Sequence, residues 1–216
     1  YEMATEFIDV VCPNCEENIK VPMNEFVDVV ENPEYKEQII EGEFFLNRCG
    51  NCGDHVLVEY PLMYMDPDRK LNVYMAPAHE EDLLEQLNSL DVPGADLDSK
   101  SQFRLTSNGL NLMEKILIFE RGRDDRVLEL YKFIIWEDVK EQWDDLEQGD
   151  LLFMFDDEED YFVIWTSDNG NDEKLTIPID DELYSELEEN YFEALSIPPG
   201  KYAEVDQEWI SERFER

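Results

Sequence analysis

Positive charge is what this chain has least of. Its 216 residues carry 17 lysines and arginines against 55 aspartates and glutamates, a formal net charge of −38 with a pI near 4.1. Such a field repels phosphate backbones and anionic lipid, so direct nucleic-acid binding and membrane association are not expected. Histidine is nearly missing: His55 and His79 are the whole supply. Two histidines without a carboxylate at ligand spacing cannot assemble an open catalytic zinc site. No nucleophile elbow, phosphate-binding loop or dinucleotide fingerprint is present. The carboxylates of Asp156 to Asp160 lack the glycine and the distal glutamate of a calcium loop, and read as a solvated hairpin turn. No apolar run approaches the roughly 18–20 residues that span a bilayer. No basic segment followed by an apolar core opens the chain. The expected location is cytoplasmic.

Cysteine is also scarce, but its placement is informative. The four residues form Cys12-Pro13-Asn14-Cys15 and Cys49-Gly50-Asn51-Cys52. In a reducing compartment this spacing reads as metal ligation rather than disulfides. Two residues between cysteines let one tight turn aim both sulfurs at a single ion, and two such turns complete a tetrahedron of thiolates. Pro13 pre-sets one turn, while Gly50 and Gly53 relax the other. Cys12, Cys15, Cys49 and Cys52 are therefore the expected ligands of one structural zinc per chain. Iron in a rubredoxin-like site is the minor alternative. Arg48 and His55 flank the second knuckle, where they can offset thiolate charge.

Hydrophobic content of 43% and aromatic content of 12% are enough for a packed core. Strands are expected at 6–11 and 18–23 around the first knuckle, and at 44–46 and 55–60 around the second. Asn32-Pro33-Glu34 opens a short helix that Gly42 ends. Met63 to Met65 and Leu71 to Ala76 flank a turn, a helix follows near 79–90, and 91–101 reads as a loop. Helices over 111–120 and 125–139 form a hairpin, the second capped by Asp124. Arg121, Arg123 and Arg126 lie at that junction, where local pairing with Asp124 and Asp125 is expected. The second helix is apolar on nearly every face, so Val127, Leu128, Tyr131, Ile134, Ile135 and Trp136 call for cover on two sides.

Beyond 148 the pattern changes to three antiparallel strands, a helix from Asp181 and a last helix near Asp206. Residues 1–140 hold 30 acids and 13 bases, while 141–216 hold 25 acids and only 4 bases. That step marks an expected boundary near 145, between domains at 5–140 and 145–216.

Several segments together resemble the CpXC domain family. They are Val11 to Cys15, Glu34-Tyr35-Lys36-Glu37, Gly42-Glu43-Phe44-Phe45, Cys49 to Gly53, Tyr60 to Tyr64, Glu114 to Glu120 and Asp124 to Tyr131. The resemblance covers about residues 5–136, and the second knuckle departs from it in carrying Gly50 where the family name puts proline. It implies a zinc-ribbon-like domain and no particular activity.

The expected class is α+β: a zinc-ribbon-like four-cysteine knuckle on an antiparallel sheet, a helical hairpin, and a small acidic C-terminal α+β segment. The expected function is that of a metal-stabilised interaction or adaptor protein of a bacterial cytosol, non-enzymatic and with a protein partner that its charge would make basic. An acidic decoy for a basic nucleic-acid-binding surface is one alternative. An enzyme with a cleft between domains, recruiting Glu59 or Asp66, is another. A monomer is favoured over a homodimer, because self-association doubles the charge. Self-repulsion also predicts that the melting temperature rises with moderate salt or divalent cations. A scanning-calorimetry series in sodium chloride checks this, and a steady fall with salt would overturn it.

Overall fold

The computed structural model describes residues 6–90, 100–141, 147–168 and 171–214. The chain divides into two compact units, 1–113 with 199–202, and 114–198 with 203–216. The division falls inside a helix. The loop expected at 91–101 lies almost wholly outside the described residues, as does position 145.

In the first unit, β1 (Glu6–Val11) and β2 (Asn18–Met23) form an antiparallel hairpin, in register from Glu6↔Met23 to Val11↔Asn18. After β3 (Phe26–Asp28) comes α1 (Pro33–Ile40), started by proline in its first turn and ended by Gly42 at φ 75°. That left-handed conformation costs glycine nothing and most residues something. A second hairpin pairs β4 (Leu46–Arg48) with β5 (His55–Leu57). Next come β6 (Leu62–Asp66), β7 (Leu71–Met75), α2 (Leu83–Ser89) and β8 (Gln102–Thr106).

Strands β6 and β7 alternate strictly between buried and half-buried positions, the signature of a sheet with one face in a core. Leu62, Tyr64, Leu71, Val73 and Met75 supply that face. The five-stranded order, edge strand first, is 12-8-7-6-3 by position in the chain, with strand 12 (β12) being Tyr202–Ala203. It is mixed, not purely antiparallel: β3 runs parallel to β6, and β7 parallel to β8. Parallel pairing needs a crossover, and the segments holding α1 and α2 are long enough to supply one each. Asn88 of α2 clasps the edge strand by accepting from Tyr202 N at 2.8 Å and donating to its carbonyl at 3.0 Å.

Helix α3 (Gly109–Glu120) begins with its N-terminus satisfied twice. Asn108 Oδ1 accepts from Asn111 N at 2.8 Å, and Glu59 Oε1 accepts from Gly109 N at 2.7 Å. A Cβ at Gly109 would lie 2.9 Å from that oxygen and from the Phe45 ring, so only glycine allows the approach.

The second unit is built on the rest of α3 and on α4 (Asp125–Lys140). Asp124 caps α4 as expected, accepting from Arg126 N. A 3-10 turn at Gln148–Asp150 leads into the meander β9 (Leu152–Phe155), β10 (Asp160–Asp168) and β11 (Asn171–Pro178). Helix α5 (Asp181–Tyr191) and, after β12, α6 (Gln207–Phe214) complete it. Both pack on α4. Val127, Leu128 and Tyr131 are buried, and Tyr131 packs its ring on Phe162 of β10 and accepts from Asp180 N, so C-terminal elements supply cover for α4. Ile134 is 43% exposed and Ile135 and Trp136 are half-buried, while Val139 is again buried.

The arginines at the helix junction pair differently from expectation. Arg126 does bond Asp124, but Arg121 Nε and Arg123 Nε grip Asp160 at 2.6 and 2.7 Å, and Arg123 also reaches Asp181 at 2.5 Å. Asp160 is thus a buried tie and not part of a solvated turn, because two guanidinium groups offset its desolvation. Asp125 is fully buried against Lys115, at 3.0 Å.

Between α3 and α4, Lys132 Nζ lies 2.7 Å from Glu114 Oε1 and 2.8 Å from Glu129 Oε1, and Glu114 also accepts from Phe153 N at 2.7 Å. With Lys115 and Asp125, three buried carboxyls face two ammonium groups. Burial is the largest influence on Glu129 and pushes its carboxyl up, against the pull of Lys132 and Lys115. A carboxyl raised on folding contributes stability below its unfolded pKa, and that contribution is lost as pH rises to the folded one. Glu129→Gln should therefore be tolerated and should remove a fall in stability above the ordinary carboxylate range. Lys132→Met, which strands two buried carboxyls, should cost about 3–5 kcal/mol. Urea melts across pH measure both, and equal costs for the two variants would refute this assignment.

Candidate metal centre

The two Cys-x-x-Cys turns fold as copies of one another. In the first, Cys12 N donates to Glu17 O and Cys12 O accepts from Glu16 N, both at 2.9 Å. In the second, Cys49 N donates to Asp54 O at 2.8 Å and Cys49 O accepts from Gly53 N at 2.9 Å. The residue four past the first cysteine is left-handed in both, Glu16 at φ 60° and Gly53 at φ 82°. Glycine there is unstrained, while Glu16 holds the same conformation at a cost of about 1–2 kcal/mol. Gly50, expected to need glycine's freedom, does not have a positive φ. It stands where Pro13 stands in the other turn.

The hairpins β1–β2 and β4–β5 bring the turns together. Cys12 Sγ lies 3.7 Å from Cys52 Sγ, and Cys15 Sγ 3.6 Å from Cys49 Sγ. All four sulfurs fall within 4.8 Å of one another. A regular tetrahedron with metal–sulfur bonds of about 2.3 Å has sulfur–sulfur edges of about 3.8 Å, so the thiols are spaced for one ion. They are too far apart for disulfide bonds. The first cysteine of each turn is buried among Val21, Val56 and Val58, with Ile8, Val10 and Ile19 around them. Cys15 is half-buried and Cys52 exposed. One side of the centre faces a small apolar core and the other faces water.

Two residues that the sequence reading passed over complete the site. The side-chain amide of Asn51 does most to hold the Cys15 thiol down, at about 6, with the Glu17 backbone next. At Cys52 the Asp54 backbone is the largest influence and favours the thiolate, as does Asn14. Lost solvation and the sulfurs of Cys15 and Cys49 outweigh them and push it up to about 11. Each turn's asparagine thus serves the other turn's second cysteine, and Asn14 also donates to Asp54. Such outer partners orient the ligands and tune their basicity. The repeat of asparagine just before the second cysteine of both knuckles was a legible signal.

Arg48 bonds the turn's backbone, Nε to Gly53 O at 3.2 Å, and His55 sits opposite it in the β4–β5 register. His79 precedes α2 rather than starting it, with Nδ1 2.9 Å from Ala76 O. Of the carboxylates considered for catalysis, Asp66 is buried against Lys36 at 2.9 Å, and Glu59 caps α3. Among the described residues the four cysteines are the one cluster able to hold a metal ion.

The family model described as CpXC protein matches residues 10–132, a span holding both knuckles and ending on Lys132. No curated protein and no solved structure matches the chain.

The twin turns give opposite predictions at equivalent positions. Glu16→Gly relieves a left-handed glutamate and removes an acid beside the sulfurs, so it should raise the melting temperature slightly. Gly53→Ala should lower stability by about 1–2 kcal/mol. Thermal melts of the two variants decide, and shifts of the same sign would mean that the turns are not equivalent.

Proposed function

The chain belongs to the CpXC family, and on that premise we propose that it is a metal-stabilised interaction protein rather than a catalyst. The observation that carries this reading is the closed set of four thiols joining two short hairpins. Four protein ligands fill a tetrahedral ion and leave it no position for a substrate or a reactive water, which is the pattern of structural zinc. Two-stranded hairpins are marginal alone, so an ion bound across them becomes part of their folding free energy. The donor set suits zinc, with iron the alternative that the same geometry admits. The hairpins then act as a rigid platform, and a partner protein of basic character suits the charge.

That charge also favours a second reading, in which the protein occupies the nucleic-acid-binding surface of a basic protein. In that case its native partner should be displaced by DNA or RNA.

Elemental analysis of purified protein should find about one zinc per chain. Cys12→Ser or Cys49→Ser should lose it and make the first hairpins protease-sensitive. Cross-linking in native cells should recover a stoichiometric partner with wild type and not with Cys49→Ser. Protein that carries no metal, or that recovers its partner equally well without the cysteines, would remove the reading. A red, iron-loaded protein would replace zinc with the rubredoxin-type centre.

A further inference from the structure

The first unit contains a small apolar cleft of about 190 Å³ lined chiefly by Ile39, Phe44, Phe45, Leu57, Leu110 and Met113. We infer that this cleft docks one apolar side chain of a basic segment of the partner protein. The inference rests on the interaction reading above and gives that reading a location.

Size comes first. Pockets for cofactors and metabolites usually enclose about 300–1,000 Å³, so this one suits a single large side chain rather than a small-molecule substrate. Its lining includes side chains that folding leaves in water: Leu57 is 61% exposed and Leu110 50%. Exposed leucines around a preformed pocket are the usual surroundings of an interface anchor. Two glycines lie in its wall. Gly109 in its wall cannot carry a Cβ without meeting Phe45, and Gly42 is held left-handed at the end of α1.

Charge selects the occupant. Glu59 lies in the wall, and its Oε1 accepts from Gly109 N. Glu59 is half-buried, so its carboxylate places negative charge in the wall. Glu41 and Glu43 are exposed on either side of Gly42, and no basic residue lines the cleft. A lysine or arginine beside the apolar anchor would meet these acids. A second copy of this chain would bring another −38 of charge to the same face, and a nucleic acid would bring phosphates; both are opposed.

Selection of a displayed random-peptide library on the intact, metal-loaded chain tests this. Enriched peptides should pair an aromatic or long aliphatic residue with lysine or arginine. In fluorescence anisotropy, replacing that anchor by alanine should weaken binding at least tenfold, as should Leu110→Asp or Leu57→Asp in the protein. Both leucines are exposed, so circular dichroism of either variant should match wild type. Glu59→Gln keeps the acceptor for Gly109 N and should weaken binding several-fold while flattening its salt dependence. No enrichment, enrichment of acidic peptides, or equal binding to wild type and both aspartate variants would overturn the assignment. Cross-linking in native cells separates the two levels of the argument. A partner recovered equally by wild type and Leu110→Asp leaves the interaction reading standing and removes the cleft. No partner with either protein removes both.

Discussion

Lys132 reaches Glu114 and Glu129 at once, and Glu114 passes the connection on to the backbone of β9 through Phe153. Helices α3 and α4 and the first strand of the meander therefore meet at one buried ammonium. With 55 acids to 17 bases the chain has few cations, and several of them pair with carboxylates in or beside the core. Lys115 holds Asp125, Arg121 and Arg123 share Asp160, Arg126 holds Asp124, and Lys36 holds Asp66. The pairs at Asp125, Asp160 and Asp66 let carboxyls be buried that would otherwise carry a desolvation cost of several kcal/mol. The acids left over are mainly on the surface. The same scarcity thus orders the interior and leaves a strongly negative exterior.

The metal centre meets a different shortage. The N-terminal hairpins are too small to bury much apolar surface, and their shared core is a handful of valines and isoleucines around two cysteines. An ion held across Cys12, Cys15, Cys49 and Cys52 would supply what area cannot. The reciprocal placement of Asn14 and Asn51 lets each turn brace the other, so the pair behaves as one unit with a local two-fold logic. Glu16 shows that this logic tolerates strain: the first turn keeps a left-handed glutamate where the second has glycine.

The knuckles were legible because Cys-x-x-Cys is a local pattern whose chemistry follows from spacing alone. Helix α4 was legible because a cap at Asp124 and an apolar run coincide there, whereas the cap of α5 at Asp180 emerged only in the structure. The mixed character of the five-stranded sheet was not, because nothing in a short apolar run says which neighbour it will pair with or in which direction. Asp156 to Asp160 read as uniform acidic turn, yet Asp160 differs from its neighbours through arginines far earlier in the chain.

By itself, then, the sequence determined the four-cysteine cluster, the α+β class, the cap that starts α4 and the sign of the net charge, since each depends on composition or on residues a few positions apart. Tertiary structure alone decided which acids are buried and paired, that β3 and β8 join a sheet in parallel, and that Glu59 caps a helix 50 residues away. It also decided that Leu57 and Leu110 stay in water beside a cleft. Burial and ion pairing are properties of places where distant segments converge, and a linear pattern carries the residue type but not the neighbour that fixes its charge, its cover or its solvent.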